Sequence, residues 1–234
     1  MTITSPHNEQ LKEIRKLAGR KWRDKLREFV AEGEDLLEAA DAAGWQPIAR
    51  LVAEGSGLEG EEVAPHLLAQ VSQLGSGTRA LGVYAQRWAP APVGPLCLAL
   101  WGVNDPGNVG TVLRSALAFG ASSVALGPGT ADPYGSKAVR ASMGALFEVP
   151  VTRVRAVDEL PGRKIALVPR GAEPLAPPDG DVTLVVGAER EGLSDEIVAA
   201  CDSAATIAVK NESLNAAMAA TVALYECNRR MAAP

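Results

Sequence analysis

An amide and a guanidinium stand near the start of one helix-forming segment that follows a strongly apolar stretch. The segment reads NDPGNVGTVLRSA at residues 104–116, and its Asn108 and Arg114 are six residues apart. In open α/β folds, the free N–H groups and the positive dipole end of such a helix face the sheet edge at which ligands bind. If Asn108 caps the helix, the long side chain of Arg114 leans back toward the same edge. The segment therefore predicts either a ligand site at a helix start or a capped helix with an ordinary surface arginine.

A turn bounded by glycines and carrying a carboxylate follows a second apolar stretch. The sequence VVGAEREGLS at residues 185–194 places Glu189 between Gly187 and Gly192. Glycines let a backbone approach a flat ligand closely, and the Glu189 carboxylate offers a hydrogen-bond acceptor at the edge of such a ligand site. A dinucleotide-binding loop would instead read G-x-G-x-x-G after the first strand. Because a carboxylate repels pyrophosphate, an NAD-dependent oxidoreductase is disfavoured.

A third segment opens a long alanine-rich helix. It reads IAVKNESLNAAMAA at residues 207–220, and Ser213 is of the residue type that caps a helix start. Small side chains permit very close packing against another helix or a sheet, and here they are Ala216, Ala217, Ala219, Ala220 and Ala223. Such a face often marks an interface, although a plain C-terminal core helix also explains the pattern.

Alternating apolar strands and helices over residues 96–234 predict the parallel sheet that positions these segments. Continuous apolar strands such as VTLVV at residues 182–186 are what a sheet buried on both faces requires. The predicted elements are Leu96–Trp101, Asn108–Phe119, Ser123–Leu126, Tyr134–Met143, Val149–Val154, Ile165–Val168, Val182–Val186, Asp195–Ala200, Ala205–Val209 and Ser213–Met231. This order is typical of a doubly wound α/β domain.

Residues 1–90 predict a smaller α/β domain, followed by a Pro/Gly linker at residues 91–95 that excludes regular structure. Its predicted helices are Asn8–Arg20, Asp24–Ala43 and Val63–Leu74, and its predicted strands are Ile48–Val52 and Leu81–Ala85.

The charge of the chain is unevenly distributed. The formal net charge of −5 argues weakly against a protein coated with nucleic acid. Between Leu11 and Arg27, however, eight basic side chains stand against two acidic ones, with Trp22 among them. A solvated helix face is the simpler explanation of such a run. The functional interpretation is a nucleic-acid-binding surface, whose candidate residues are Lys16, Arg20, Arg23 and, further along the chain, Arg140 with Lys137.

Cysteine usage and hydropathy limit the classes of site and of protein that the sequence allows. Cys97, Cys201 and Cys227 lack any C-x-x-C spacing and stand in apolar surroundings, so we expect buried reduced thiols and neither a metal site nor a disulfide framework. The N-terminus is polar, and no apolar run reaches the roughly 20 residues that a spanning helix needs. We therefore expect a cytoplasmic protein with no membrane partner.

Together and in this order, the three segments resemble the motifs of the SpoU/TrmH family of RNA ribose 2′-O-methyltransferases, within the SPOUT superfamily. The matching stretches are DPGNVGTVLRSALAFGA, VVGAEREGLS and NESLNAAMAATVALYE, with SKAVRASMGALFEVPV between the first two. The N-terminal stretch from Ser5 resembles the small ribosomal-protein-like, L30e-like substrate-binding domain that many members carry. The resemblance implies an α/β chain whose C-terminal parallel-sheet domain contains a deep trefoil knot that binds S-adenosylmethionine.

The resemblance also implies roles for individual residues. The implied reaction centre consists of Asn108, Arg114, Glu189, Ser213 and Asn215, and Arg114 either activates the ribose hydroxyl or stabilises its alkoxide and orients phosphate. The implied cofactor pocket is lined by Pro169, Gly171, Gly187, Ile207 and Leu214. Members form homodimers through the knot and the last helix, so a homodimer is expected here.

Two departures and three alternatives accompany the resemblance. The stretch between Ile207 and Ser213 is shorter than in the family, and Arg190 stands where glycine is frequent. Ribosomal RNA is the favoured substrate, because the N-terminal domain resembles the type found in members that act on ribosomal RNA. The alternatives are a transfer-RNA 2′-O-methyltransferase, a non-catalytic RNA-binding or ribosome-assembly protein on the same fold and, outside the family, the disfavoured oxidoreductase.

Overall fold

The chain folds into two compact units. The computed structural model describes residues 2–74, 77–176, 179–209 and 214–231. The N-terminal unit comprises Met1–Gln86 and Asp132–Phe147, and the C-terminal unit comprises Arg87–Ala131 and Glu148–Pro234. Residues 132–147, which the sequence assigns to the C-terminal domain, thus pack within the N-terminal unit. We call residues 132–147 the excursion. The predicted domain boundary at residues 91–95 divides the chain only once and does not account for it.

The N-terminal unit is built on a four-stranded sheet of order β1-β4-β2-β3. β4 is antiparallel to both β1 and β2, while β2 and β3 are parallel. The strands are β1 (Glu28–Glu32), β2 (Ala49–Ala53), β3 (Glu61–Val63) and β4 (Ala80–Ala85). The helices are α1 (Glu9–Leu17), α2 (Arg20–Leu26), α3 (Glu34–Ala42), α4 (Pro65–Val71) and, from the excursion, α6 (Ser136–Ser142).

Strand β1 corrects the prediction of one helix over Asp24–Ala43. Residues Phe29, Val30 and Ala31 are all buried and pair with β4, so long-range strand pairing outweighs the local helical pattern. Arg27 in the left-handed region ends α2, and Gly33 with φ +109° separates β1 from α3. Helix α1 follows its sequence pattern more closely. Asn8 accepts from the Leu11 N–H at its start, and it buries Leu11, Ile14 and Leu17.

An aromatic cluster holds the excursion within the N-terminal unit. Phe29 lies at the centre of the cluster, with its ring centroid 4.8 Å from that of Tyr134, 5.9 Å from that of Tyr84 and 6.1 Å from that of Phe147. Trp45 packs edge-on against Phe147 and donates its indole N–H to the Phe147 carbonyl at 2.8 Å. Tilted and edge-on pairs of this kind add to the free energy gained from burial.

A buried ion pair adds a polar anchor to the same packing. The Arg23 Nε and Nη2 atoms each lie 2.9 Å from Asp132 Oδ2, and Nη1 donates to the carbonyls of Leu17 and Ala18 at 2.8 Å. Asp132 also accepts from the Tyr134 N–H. Arg23 is only 7 % exposed, so the prediction that it offers a charge on an exposed RNA-binding face is wrong. Its guanidinium fixes α2 to the end of α1 and to the excursion.

The Arg23→Lys variant should test this anchor. Lysine keeps the charge but lacks the planar guanidinium, whose several N–H groups reach the carboxylate and the two carbonyls together. At least one of these buried oxygens therefore loses its donor. We expect the free energy of unfolding to fall by about 1–3 kcal/mol, measured by urea denaturation. Lys21→Arg, a reverse exchange at an exposed position of the same helix, serves as the control. Equal stability of the Arg23→Lys variant and the unmodified chain would contradict the anchoring role.

The C-terminal unit contains a wholly parallel six-stranded sheet of order β10-β8-β9-β5-β6-β7. The central strands β5 and β9 are buried at every position, which confirms the prediction of a two-sided buried sheet. The strands are β5 (Leu96–Leu100), β6 (Ser123–Leu126), β7 (Val151–Arg153), β8 (Arg163–Leu167), β9 (Val182–Val186) and β10 (Ser203–Ala205). The helices are α5 (Pro106–Ala118), α7 (Asp195–Ala200) and α8 (Ala216–Met231).

Helix α8 packs its small face within its own chain. Ala217, Ala220 and Ala223 are buried, and the Ser115 hydroxyl on α5 hydrogen-bonds to Thr221 on α8 at 2.7 Å. The alanines therefore form part of an intramolecular core. Strand β10 ends at Ala205, earlier than the predicted strand Ala205–Val209.

The burial predicted for the three cysteines is confirmed at two of them. All three are free thiols, with Cys97 and Cys227 buried and Cys201 half-buried. Burial raises the pKa of Cys227 and of Cys201 to about 11 and also raises that of Cys97. A protonated thiol is a poor nucleophile. Separately, none of the helices in the described residues has the length and apolarity needed to cross a membrane.

Candidate functional site

Two neighbouring strands of the parallel sheet deliver the first and second motifs to one edge. Leu100 at the end of β5 is in register with Val186 at the end of β9, so the segments that follow them leave the sheet side by side. The β5 segment leads into α5, whose cap residue is Asp105. The Asp105 side chain accepts from the N–H groups of Gly107 and Asn108, and Pro106 occupies the first helical position. Asn108 therefore lies inside the first turn rather than at the cap, and its side chain is available for other contacts.

Asn108 connects the three motifs. Its amide Nδ2 donates to Glu189 Oε1 on the segment after β9, and its Oδ1 accepts from Asn215 Nδ2 at 3.3 Å. Asn215 Oδ1 in turn accepts from the N–H groups of Ala217 and Met218 in the first turn of α8. The structure thus brings together Asn108, Glu189 and Asn215 from the predicted reaction centre. Ser213 lies outside the described residues.

The segment after β9 forms a closed loop. Ala188 and Gly192 exchange two backbone hydrogen bonds of 3.1 and 3.0 Å, so the chain returns directly over Gly187. A Cβ atom at Gly187 would lie 2.3 Å from the Gly192 carbonyl carbon and 2.5 Å from the Leu193 nitrogen, closer than atoms of two backbone segments can approach. Only glycine fits at this position without displacing the loop.

A cavity of about 350 Å³ opens beside this loop. Five predicted site residues line it, namely Pro169, Gly187, Glu189, Ile207 and Leu214. The residues that sequence reasoning missed are mostly apolar, namely Leu167, Val168, Val186, Ala188, Leu193, Val209, Ala216 and Ala219, with Glu191 and Gly192. The signal for several of them was the apolar end of strands β8 and β9. Arg190 also lies on the wall, and Gly171 is exposed and outside the lining.

Backbone pairing holds the far wall of the cavity. The Val168 N–H donates to the Ala205 carbonyl at 2.9 Å, and the Thr206 hydroxyl donates to the Pro169 carbonyl at 3.1 Å. The Thr206 N–H donates to the Glu173 carbonyl, and the Leu175 N–H donates to the Thr206 carbonyl. Residues 168–175 thus follow the chain at 205–206 on both sides of Thr206, and Pro169 and Ile207 both line the cavity.

Arg114 lies on the exposed side of α5 and does not line the cavity. Within the described part of the chain, its guanidinium has no hydrogen-bond or ion-pair partner. It is therefore available to a bound molecule. It is not held by the Asn108 contacts, so the sequence-predicted centre is only partly assembled by the protein alone.

The predicted RNA-contact residues of the N-terminal unit differ in accessibility. Lys16 and Arg20 are exposed, and Arg20 makes a surface ion pair of 3.5 Å with Asp24. Arg140 on α6 is half-buried and Lys137 is exposed. Exposed pairs contribute little to stability, so Arg20 can exchange Asp24 for another anion at low cost.

Comparison with known proteins matches both parts of the chain. The model of the SpoU rRNA Methylase family matches residues 95–225, and the model of the MRM3-like substrate binding domain matches residues 8–87. A Synechocystis protein named as an uncharacterized tRNA/rRNA methyltransferase is 32 % identical over 98 % of this chain and 94 % of its own length. The Bacillus subtilis 23S rRNA (guanosine(2553)-2′-O)-methyltransferase RlmP is 28 % identical over 95 % of this chain and 97 % of its own.

A solved structure agrees over the whole chain. The crystal structure of an AdoMet-bound rRNA methyltransferase from Sinorhizobium meliloti superimposes with a TM-score of 0.88 and 29 % identity. The alignment covers 100 % of this chain and 99 % of that one. With the family match spanning more than half of its residues, the chain belongs to the SpoU rRNA methylase family.

Proposed function

We propose that this protein transfers a methyl group from S-adenosylmethionine to a ribose 2′-hydroxyl in ribosomal RNA. The observation that carries the proposal is the apolar cavity that opens beside the Asn108–Glu189–Asn215 contacts, at the carboxyl edge of the parallel sheet. The Bacillus subtilis relative acts on a guanosine 2′-oxygen of 23S rRNA, and the Sinorhizobium meliloti structure contains AdoMet. Both support the same cofactor and the same class of substrate.

The residues of the cavity fit S-adenosylmethionine. A volume of about 350 Å³ lies within the range of small-molecule sites, roughly 300–1,000 Å³. Leu167, Val186 and Ile207 offer an apolar wall for a flat heterocycle, and Gly187 lets the backbone approach it. Glu189 and Glu191 suit a cationic ligand and disfavour a polyphosphate. We propose that Leu214 and Pro169 complete this binding wall.

When bound, the cofactor supplies a methyl group on a sulfonium that is itself a good leaving group. The protein must then align the ribose hydroxyl and remove one proton. Asn108 holds the Glu189 carboxylate and the Asn215 amide in fixed positions, so these groups need no reorganisation when RNA arrives. We propose that Arg114, on the exposed face of α5, stabilises the developing 2′-alkoxide or orients the adjacent phosphate. A guanidinium offers hydrogen-bond donors and no acceptor, so in this proposal the ribose proton passes to solvent water and not to Arg114.

We further propose that the C-terminal chain is threaded as a trefoil knot. The pairing of residues 168–175 along both sides of Thr206 supports a loop that encircles this segment before α8 begins. Such threading is an exception to the general rule that chains do not cross through their own loops.

We propose a homodimer that uses the exposed apolar side of α8. Met218, Val222 and Tyr225 are spaced as one face of a helix and are 60 %, 38 % and 49 % exposed, and Leu117 on α5 is 40 % exposed. The Tyr225 ring packs edge-on against Phe119, which joins the two helices at this surface. We call these four residues, Leu117, Met218, Val222 and Tyr225, the α5–α8 surface. Contiguous exposed apolar side chains mark association sites, and a second copy of this chain is the proposed occupant.

The Val222→Asp variant should separate the two copies. A carboxylate at the centre of the α5–α8 surface would be desolvated in a dimer, so we expect the variant to be monomeric. Light scattering coupled to size-exclusion chromatography measures the mass directly. Val93→Asp, at a valine of the same unit that is 49 % exposed, is the matched control and should stay dimeric. A monomeric unmodified chain, or a dimeric Val222→Asp variant, would contradict the proposed dimer.

The N-terminal unit is the proposed RNA-binding part of the protein. The match to a substrate binding domain and the exposed cations Lys16 and Arg20 support this role, and we propose Arg140 as a further contact. Since ribosomal RNA is the proposed substrate, the proposed location of the reaction is the cytoplasm.

Primer-extension mapping at limiting nucleotide concentration, on RNA from cells with and without the gene, tests the proposed function. One primer-extension stop caused by a 2′-O-methylated ribose in ribosomal RNA should disappear when the gene is removed. The stop should reappear when the gene for the unmodified protein is restored. Loss of a stop only in transfer RNA would favour the transfer-RNA alternative. An unchanged methylation pattern would favour a non-catalytic RNA-binding role.

A further inference from the structure

Trp22 occupies an unusual position for a large aromatic side chain. It lies on α2 and is half-buried, so part of the residue remains accessible to solvent. The Nζ atoms of Lys16 and Lys25 lie 5.4 and 5.0 Å from its ring centroid. A Cβ atom at Gly19 would lie 3.9 Å from the ring, so the ring rests against the glycine between α1 and α2. Two ammonium groups and one aromatic ring are thus gathered at a single turn.

The helix that carries Trp22 is firmly held. The next residue, Arg23, is buried in the ion pair with Asp132, and its Nη1 donates to two carbonyls at the end of α1. Gln86, the residue that follows β4, donates its side-chain amide Nε2 to the Arg23 carbonyl. Because the backbone under Trp22 is fixed on several sides, the ring is preorganised and little ordering entropy is lost when a ligand stacks on it.

The surroundings of Trp22 are strongly basic. Lys16, Arg20, Lys21, Lys25 and Arg27 are all exposed, while the acidic side chains of α1 and α2 are Glu9, Glu13 and Asp24. Glu9 pairs with Lys12 at the far end of α1, and Asp24 pairs with Arg20. Five exposed cations on and beside α1 and α2 therefore stand against three carboxylates, in a chain whose net charge is −5. This local charge complements a polyanion.

Lysines held over a partly accessible ring at the protein surface gain only about 0.5–1 kcal/mol from cation–π attraction. Lys16 and Lys25 can therefore leave the ring and move to phosphates when a nucleotide base replaces them. Aromatic rings beside flexible cations are the arrangement by which proteins hold single-stranded nucleic acid, with a base on the ring and the flanking phosphates on the cations.

We propose that Trp22 is a base-stacking platform for one unpaired nucleotide of the RNA, with Lys16 and Lys25 binding the phosphates on either side. The proposal rests on RNA being the substrate and names the structural class recognised by the N-terminal unit, which is single-stranded RNA. Arg23 does not contact the RNA and positions the helix that presents the ring.

The experiment compares two probes on the full-length protein, an oligoadenylate of 12 nucleotides and the same strand with its central bases removed to leave abasic riboses. Trp22→Leu keeps apolar bulk but removes the π-face, so we expect it to weaken binding of the oligoadenylate by about 5- to 30-fold. It should change binding of the abasic strand little. Trp22→Phe should keep most of the affinity, and Trp88→Leu, at another half-buried tryptophan with a cation 4.2 Å from its ring, is the matched control.

Charge and stacking are then separated by salt. Lys16→Gln combined with Lys25→Gln should weaken binding of both strands and reduce the slope of log K against log salt by about 0.7 for each lost phosphate contact. Fluorescence gives a second readout that does not depend on the leucine variant folding. Oligoadenylate should quench the emission of the unmodified protein more than that of Trp22→Phe.

Equal weakening of both strands by Trp22→Leu, no weakening of either, quenching that is the same in Trp22→Phe, or no binding of oligoadenylate by the unmodified protein would each overturn the stacking platform. S-adenosylmethionine affinity and methyl transfer by the unmodified protein are measured in parallel. If both are present while Trp22→Leu has no effect, only the platform fails. If the unmodified protein binds the base-bearing strand through Trp22 but transfers no methyl group, only the proposed function fails.

Discussion

The Arg114→Ala variant is expected to lower kcat for methyl transfer by about 10²- to 10³-fold, as loss of one preorganised donor to a developing oxyanion does in other enzymes. Arg114 is exposed on α5 and outside the cavity lining, so the affinity for S-adenosylmethionine, measured by calorimetry, should stay unchanged. A loss of kcat without a loss of cofactor binding is what a group acting on the RNA produces.

Two further variants make the Arg114 result specific. Arg114→Lys keeps a positive charge, so its kcat should lie between that of Arg114→Ala and that of the unmodified protein if the role is electrostatic. Arg155→Ala removes another exposed arginine of the same unit and should leave turnover unchanged. Full turnover by Arg114→Ala with cofactor bound would show that Arg114 has no part in the reaction.

The Gly187→Ala variant is expected to weaken binding of S-adenosylmethionine by about 10- to 100-fold, from the usual cost of forcing an extra methyl into a packed site. The new Cβ would lie 2.3 Å from the Gly192 carbonyl carbon and 2.5 Å from the Leu193 nitrogen. Both are backbone atoms, which cannot rotate away as a side chain can. The loop that Ala188 and Gly192 close must therefore move, and with it one wall of the cavity. Calorimetric titration with S-adenosylmethionine measures the loss.

Gly171→Asn is the matched control for this variant. Gly171 has a φ of +80°, which asparagine tolerates, and nothing lies within 4 Å of its Cβ position. It is also absent from the cavity wall, so we expect its replacement to leave the affinity unchanged. Thermal unfolding of both variants separates a local change in the loop from general destabilisation. Wild-type affinity in Gly187→Ala would mean that the cofactor binds elsewhere.

Short-range patterns predicted the C-terminal unit well. The buried strands β5 and β9 read as continuous apolar runs, and in a parallel sheet such strands place the segments that follow them at one edge. That rule is why Asn108 and Glu189, which are 81 residues apart, could be expected in one site. Asp105 was missed as the cap because Asn108 is an equally good cap type and the sequence alone does not decide where the first turn begins.

Contacts between distant segments explain what the sequence did not reveal. Strand β1 lies within an apparently helical stretch, and its structure depends on pairing with β4 some fifty residues later. Arg23 looked like one more cation in a basic run, because its partner Asp132 is 109 residues away. The same distance hid the excursion of residues 132–147 into the N-terminal unit. The alanine face of α8 fitted either an interface or a core, and only the packing against α5 decides for the core.

Methyl transfer from S-adenosylmethionine labelled in its methyl group to unmodified ribosomal RNA transcripts is the most direct measurement. After digestion to nucleosides, we expect the label in a single 2′-O-methylated nucleoside, and an initial rate of labelling about 10²- to 10³-fold lower when Arg114→Ala replaces the unmodified enzyme. Label in a methylated base, or no label in RNA although the protein binds the cofactor, would contradict ribose 2′-O-methylation.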